Sequence, residues 1–259
     1  MWHPASWTAG RSTDLIGGPA VSTDEAVSSP GAVSPHVRAV HVGGPQTYTW
    51  LGRELVSSIF KQPVTDRVAV RADHLDGDEQ SDRKSHGGPD KAVYAYARED
   101  SDWWEDELGR PVPDGMFGEN LTTVGIDLTH AVIGQTWQIG SALLQVTEPR
   151  TPCWKLGLRM QDPGFPRRAA RSRRPGVLLR VLRQGELQVG DRVALGAAPA
   201  HGVTAAAINR IYYGEDRDLA PIFDTPELAA HWRTWAEHRT VWHEEDERRG
   251  RLAPTPPAG

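Results

Sequence analysis

The sequence predicts a mixed, β-rich fold: a barrel or sandwich of short strands with a few inserted helices, followed by a small helical appendage. Three observations carry this. The chain has 26 Gly and 20 Pro among 259 residues, which suits many turns and short strands better than a helix bundle. Short apolar runs recur at close spacing through most of its length, bounded by Gly and Pro. After Gly196 the apolar period changes from two to helical.

Residues 1–36 are expected to be a poorly ordered extension, because Ser22-Thr23-Asp24 through Ser34-Pro35 shows no apolar period. Val37-Arg38-Ala39-Val40-His41-Val42 then alternates as a half-buried strand does, and Gly43-Gly44-Pro45 ends it. Val56–Phe60 and Arg67–Val70 read as further strands, separated by Gln62-Pro63. Lys91-Ala92-Val93-Tyr94-Ala95-Tyr96 opens as a strand, and Glu99–Leu108 reads as a helix stopped by Gly109. Ala131–Gly134, Thr136–Ile139, Ala142–Val146, Val177–Leu182 and Gln188–Val193 complete the β segments. Thr204 caps a helix over Ala205–Tyr212, and a short apolar segment follows at Leu219–Phe223. Thr225-Pro226-Glu227 is a helix start, with a capping Thr and Pro in the first turn. Leu228, His231, Trp232 and Trp235 then share one face. The expected organisation is an extension at 1–36, a β-rich domain at 37–198, a helical domain at 199–243 and a tail at 244–259.

Composition excludes several classes. The single cysteine, Cys153, allows no disulfide framework, no Cys-rich zinc site and no iron–sulfur cluster of its own. No run of about 18 apolar residues exists to span a membrane, and no basic n-region precedes an apolar stretch at the N-terminus, so the expected location is cytoplasmic. A net charge of −5 argues against a general nucleic-acid binder. Arginine outnumbers lysine 25 to four, and the four are Lys61, Lys84, Lys91 and Lys155. Where Arg so dominates, a retained Lys hints that its compact ammonium is wanted.

Three segments offer chemistry. The first is Gly77-Asp78-Glu79-Gln80, followed by Lys84-Ser85-His86-Gly87-Gly88-Pro89-Asp90-Lys91. A Gly pair beside His and Lys turns backbone N–H groups toward an anion such as phosphate; the same pattern suits a surface loop with turn glycines. It is neither a Walker loop nor a dinucleotide fingerprint. The second is Gly115–Thr123, where Glu119, Asn120, Thr122 and Thr123 offer hydrogen bonds to a polar heterocycle, or simply form a turn entering a strand. The third is Glu148-Pro149-Arg150-Thr151-Pro152-Cys153-Trp154-Lys155. Its prolines stiffen the backbone, and Arg150 and Lys155 flank the thiol. Neighbouring cations favour a thiolate, which is a nucleophile and a soft metal ligand; an inert buried cysteine is the competing reading. The arginines at 167, 168, 171, 173 and 174 read as a solvated helix face or as a basic lid.

Taken together and in order, these segments resemble the MOSC family, the domain named for the C-terminal part of molybdenum cofactor sulfurases, in its stand-alone YiiM-type branch. The likeness rests on Gly77–Gln80, on His86-Gly87-Gly88-Pro89-Asp90-Lys91-Ala92-Val93-Tyr94, on Phe117–Thr123 and on Pro149–Leu156, and covers roughly 38–195. The segment from 202 to about 239 looks like the three-α domain that often follows.

The resemblance implies a barrel-like β domain with inserted helices that holds a molybdenum cofactor, a pterin. It implies Cys153 as the molybdenum ligand, with Arg150 and Lys155 balancing the charge of dithiolene and phosphate. It implies that His86, Gly87, Gly88 and Lys91 cradle the pterin phosphate or its edge, and that Asn120, Thr122 and Thr123 hydrogen-bond pterin or substrate. Glu119 orients a ligand cation or anchors the turn, and Thr151 belongs to the same cofactor loop. Related members reduce N-hydroxylated bases and amidoximes, so the implied activity is a molybdenum-dependent oxidoreductase acting on N-hydroxylated substrates such as hydroxylaminopurines, a detoxification. With one cysteine the chain needs an external reductase as electron donor. Pyridoxal phosphate is not expected, because in the sulfurases it belongs to a separate domain. The alternative is a cofactor or sulfur carrier in which Cys153 accepts a persulfide. Oligomeric state stays open.

Overall fold

A computed structural model describes residues 33–81 and 87–248. Most of the expected N-terminal extension, the residues 82–86 that include His86 and Lys84, and the tail beyond 248 lie outside the described residues.

The described residues build twelve strands and six helices. The strands are β1 (His36–Val42), β2 (Gln46–Trp50), β3 (Arg53–Ser57), β4 (Gln62–Val64), β5 (Val68–Val70), β6 (Val93–Ala97), β7 (Leu121–Val124), β8 (Thr136–Ile139), β9 (Ala142–Pro149), β10 (Val177–Arg183), β11 (Gly185–Leu187) and β12 (Val193–Leu195). The helices are α1 (Arg98–Leu108), α2 (Trp154–Met160), α3 (Phe165–Ser172), α4 (Ala205–Tyr212), α5 (Ala220–Phe223) and α6 (His231–Arg248). A 3-10 turn covers Pro89–Lys91.

Eight strands form one sheet in the order β12-β8-β9-β10-β6-β7-β1-β4. Every neighbour pair in it is antiparallel except β6 and β7. That parallel pair needs a crossover, which α1 supplies before Gly109 stops it at φ 62° with an N–H bond to the Glu105 carbonyl. The sheet curls until the start of β1 meets the turn before β12. Val37 N–H donates to Asp191 O at 2.9 Å, Gly190 N–H donates to Val37 O at 2.8 Å, and His36 bridges Arg192. One bridge is not a ladder, so the sheet is barrel-like without closing.

β6 shows how the sequence divides the core. All five residues of Val93-Tyr94-Ala95-Tyr96-Ala97 are buried. Because successive side chains point to opposite faces, Val93, Ala95 and Ala97 join the main core with Val37, Leu121, Trp137, Leu144 and Leu179. Tyr94 and Tyr96 join a second, aromatic cluster with Trp104, Phe117, Leu156 and Phe165. α4, α5 and α6 complete the main core rather than a core of their own, contributing Ile208, Ile211, Ile222, Trp232 and Ala236.

Several local expectations change. The expected strand at Ala131–Gly134 makes only a bridge from Val132 to Thr204, and Gln188–Arg192 is the turn against β1. Val56–Phe60 is the end of a hairpin, β2–β3, whose turn residues Leu51 and Gly52 both have positive φ, 50° and 76°. Thr204 caps α4 as expected, its hydroxyl accepting from Ala207 N–H. Thr225-Pro226-Glu227 does not start a helix; α6 begins at His231. The sheet claims the backbone groups that a helix would use. Glu227 O accepts from Arg180 at 2.8 Å, and Ala229 N–H donates to Thr147 O at 3.4 Å. α6 also runs to Arg248, past the expected start of the tail.

Candidate functional site

A β-bulge sets up the site. Along β9, simple alternation would place Glu148 on the face of Leu144 and Val146, in the main core. The register against β10 instead pairs Val146 with Leu179 and Glu148 with Leu178, which leaves Thr147 as the extra residue. Its hydroxyl donates within reach of two carbonyls, Asp90 O at 2.7 Å and Leu178 O at 2.9 Å. Beyond the bulge Glu148 lies beside Leu178, and Leu178 pairs with Tyr94 of β6. Glu148, Leu178 and Tyr94 thus form one cross-strand row, and all three line an open cavity enclosing about 140 Å³.

Loops complete the walls. Ser57 ends β3, Ser58, Ile59 and Lys61 come from the segment after it, Asp78 to Ser81 from the segment after β5, and Lys91 from the 3-10 turn. Phe117, Gly118 and Asn120 precede β7, and Pro149, Arg150, Thr151, Cys153 and Lys155 come from the end of β9, the start of α2 and the link between them. Gly118 is required there: its φ is 78°, and a Cβ would stand 2.6 Å from Ile59 Cγ1.

Three of the four lysines, Lys61, Lys91 and Lys155, reach this one cavity. Lys61 is buried against Asp78, whose Oδ1 accepts from both Lys61 Nζ and Gly43 N–H. Burial pushes the Lys61 ammonium below its ordinary value, and the Asp78 carboxylate opposes the shift. Lys91 Nζ stands 3.7 Å from Glu148 Oε1. Cys153 is half-buried in extended backbone just before α2, with Thr151 beside it on the wall. Arg150 lies over the Tyr94 ring at 5.6 Å from its centroid, and burial pushes the Tyr94 phenol well above its ordinary value.

Of the residues singled out in the sequence, Cys153, Arg150, Lys155, Thr151, Lys91 and Asn120 line the cavity. Asn120 commits its amide to backbone: Oδ1 accepts from Tyr94 N–H at 3.0 Å and Nδ2 donates to His41 O at 3.2 Å. Glu119, Thr122 and Thr123 are not brought to the cavity. Glu119 is fully buried and accepts from Gly115 N–H at 2.6 Å, Phe117 N–H at 3.0 Å and the Thr122 hydroxyl at 2.9 Å, so it anchors the turn. Burial holds its carboxyl above the usual range, and these donors pull it back down. The Thr123 hydroxyl faces Tyr96 O at 3.5 Å. Gly87 and Gly88 are not among the lining residues; Gly88 N–H donates to Gln80 Oε1 at 2.8 Å rather than facing an anion. Gln80 also donates to Lys91 O at 3.0 Å, so it fastens the end of the loop to the 3-10 turn. His86 lies outside the described residues.

Sequence reasoning assigned no role to Asp78 or Glu148, although both stand inside the motifs. Glu148 Oε2 accepts from Trp232 Nε1 at 2.5 Å and lies 3.1 Å from His231 Nε2, both on α6. Only the scarcity of lysine pointed to Lys61. The arginine run divides: Arg167, Arg168 and Arg171 are exposed, while Arg173 pairs with Glu215 and Arg174 with Asp100.

The donor set limits what metal chemistry is open. Among the described residues no group of three or more His, Cys, Asp or Glu side chains is placed to hold a metal ion. A metal in this cavity therefore has to bring most of its own ligands. Two buried oxygens of the wall, Ser58 Oγ and Glu148 Oε1, have no hydrogen-bond partner among the described residues, which suits a polar occupant. No described helix is long and apolar enough to cross a membrane.

Comparison with known proteins gives consistent matches. A family model described as the MOSC domain matches residues 82–194. A Bacillus subtilis (strain 168) protein, YflK, described as uncharacterized, is 32% identical over 199 residues, covering 77% of this chain and 90% of its own. A Gibberella moniliformis protein named as a reductase is 36% identical over 183 residues, covering 69% of this chain but only 32% of its own. The crystal structure of YiiM from Geobacillus stearothermophilus is similar with a TM-score of 0.67 and 33% identity, over 79% of this chain and 98% of that one.

Proposed function

The chain belongs to the MOSC domain family, and from that membership we propose that it holds a molybdenum–pterin cofactor in this cavity and reduces N-hydroxylated compounds, with hydroxylaminopurines as the substrate class. A separate reductase supplies the electrons, in the cytoplasm. The observation that carries this reading is the position of the chain's one thiol, Cys153, on a cavity wall flanked by Arg150 and Lys155. A fungal relative named as a reductase supports the reaction class.

The residues present fit such a group. It supplies its own dithiolene sulfurs and needs one soft ligand from the protein, which matches a site with one cysteine and, among the described residues, no chelating cluster. The recess is compact, so it suits the reacting end of the cofactor rather than all of it. When bound, the group supplies the metal that accepts oxygen from the substrate and passes electrons to it. The chain's residues do the rest. Cys153 offers the thiolate, and Arg150, Lys155 and Lys91 offset anionic charge. Tyr94, Phe117 and Leu178 exclude water from one wall.

The test is metal and pterin content of wild type and Cys153→Ser, purified from a host that makes the cofactor. Near-stoichiometric molybdenum in wild type, lost in the variant, is the expected result. Neither molybdenum nor pterin in wild type from a competent host would overturn the proposal and leave Cys153 to the sulfur-carrier role.

A further inference from the structure

The arginine run on and after α3 takes no part in the cavity, and its members divide by what they touch. Arg173 pairs with Glu215 and Arg174 with Asp100, so both hold the fold. Arg167, Arg168 and Arg171 are exposed, on a helix, Phe165–Ser172, that contains no acidic residue. Among the described residues the one acidic group within 4 Å of these three is Asp162, 3.8 Å from Arg168. Arg168 also lies over the Trp104 and Phe165 rings, 6.0 and 5.8 Å from their centroids. Three cations on one short helix are a local reversal of charge in a chain whose net charge is −5. Packing sets this helix beside the thiol. Where α3 meets α2, Gly157 leaves room: a Cβ there would stand 3.5 Å from Pro166 Cδ, and Pro166 is the neighbour of Arg167. Phe165 packs with Leu156 in the aromatic cluster. Gly157 is four residues past Cys153, which is about 6 Å along the axis of α2. Trp154, three residues before Gly157 and so on the same stripe of α2, is 39% exposed. Exposed Arg and Trp are the residue types that protein interfaces favour and that dominate their binding energy.

We propose that Trp154, Arg167, Arg168 and Arg171 form the docking face for an acidic one-electron carrier protein. This deepens the N-hydroxy reductase reading and rests on it. The balance is R–NH–OH + 2 carrier(reduced) + 2 H⁺ → R–NH₂ + H₂O + 2 carrier(oxidised), with the protons taken from solvent. The N–O bond breaks, the nitrogen is reduced, and the oxygen leaves as water. Two carriers dock in succession for each turnover, so the face has to release as readily as it binds. Exposed cations suit that: they steer an acidic partner in and set its orientation, and they are screened by salt rather than locked in place. The negative remainder of the chain repels the same partner everywhere else, which confines docking to the helix that packs beside Cys153. A nucleic acid fits less well, because three cations within about one helix turn make a spot rather than a track along a phosphate backbone.

The full-length, cofactor-loaded protein is assayed on 6-N-hydroxylaminopurine with two electron sources, reduced methyl viologen and a reduced plant-type ferredoxin, which is a small acidic carrier. In Arg167→Glu/Arg171→Glu the KM for ferredoxin is expected to rise by about tenfold or more. Its kcat with methyl viologen and its molybdenum content stay at the wild-type level, which shows an intact fold and site. Arg167→Lys/Arg171→Lys keeps the charge and is expected to stay within about twofold of wild type with ferredoxin. Added salt raises the ferredoxin KM of wild type and moves that of the reversed variant far less. Wild type that takes electrons from methyl viologen but not from ferredoxin overturns the proposal, as does a reversed variant with an unchanged ferredoxin KM. A reversal that abolishes binding of single-stranded DNA and leaves ferredoxin turnover untouched assigns the face to nucleic acid and overturns it too. If loaded wild type reduces no N-hydroxylated compound even with methyl viologen, the reductase reading has failed instead. The face is then judged by calorimetric titration of ferredoxin into the cofactor-free chain at low salt. No binding there, or equal binding by wild type and the reversed variant, overturns the docking face.

Discussion

Trp232 Nε1 donates to Glu148 Oε2 at 2.5 Å, across 84 residues of sequence. The bond joins the last helix to the wall of the cavity and, with His231 and Lys91, fixes the orientation of the carboxylate. It also explains why the helical segment is not a detachable handle. Trp232 sits in the main core with Ile208, Ile211 and Ile222, so a chain cut near residue 200 would expose that core and release Glu148 together. Docking of a reductase on the helices has to be probed by surface substitutions in the whole chain.

Trp232→Phe keeps most of the packing and removes the donor. The buried oxygen then keeps only His231, and the expected cost is about 1–3 kcal/mol in urea unfolding. An unchanged midpoint would mean that solvent replaces the indole and that the bond does not hold the helix to the wall.

Lys61→Met leaves the Asp78 carboxylate buried with Gly43 N–H alone. Removing one partner of a buried pair costs about 3–5 kcal/mol, whereas replacing both by apolar groups of similar volume is often neutral. The single variant should therefore be far less stable than Lys61→Met/Asp78→Leu. Equal loss in the two would show that the charge of Asp78 is not isolated by the change.

Glu119→Gln tests the turn-anchor role. An amide has one acceptor oxygen where the carboxylate meets three donors, so its NH₂ group is left against an N–H or a hydroxyl. A loss of about 1–3 kcal/mol is expected, with molybdenum per folded molecule unchanged. Full stability with lost metal would make Glu119 a ligand contact after all.

His41 gives the chain an acid-sensitive point. Burial lowers its folded-state pKa below 6.5, the nearby Lys61 and Arg159 add to this, and Asp114 opposes. The unfolded chain thus takes up the proton first. Stability contributed by the neutral ring is full above about pH 6.5 and falls as pH drops through 6.5 toward the folded-state value, at up to about 1.4 kcal/mol per pH unit. Relative to His41→Gln, wild type should lose stability between about pH 6.5 and 5; parallel curves for the two would remove His41 as the cause.

Periodicity and punctuation alone determined much of this protein. Alternation located β1, short apolar runs punctuated by Gly located β6, β8, β9 and β10, Gly109 and Thr204 marked helix ends, and the rarity of lysine marked three residues that converge on one cavity. The ordered motifs identified the family, and they contain Arg150, Thr151, Cys153 and Lys155, which line one cavity. Those signals are local: a strand's period and a cap's chemistry are set by neighbours in sequence. Other features are settled by partners far along the chain. Thr225-Pro226-Glu227 carries a helix-start pattern, yet Arg180 and Thr147 take the backbone groups the helix would use. In sequence Thr122 and Thr123 read as ligand contacts and Glu119 as a ligand contact or a turn anchor; the burial of their turn sets their polar atoms on one another and on nearby backbone. The side of the sheet that Glu148 faces depends on one extra residue in β9 relative to β10, and a bulge is a property of a strand pair that neither strand displays by itself.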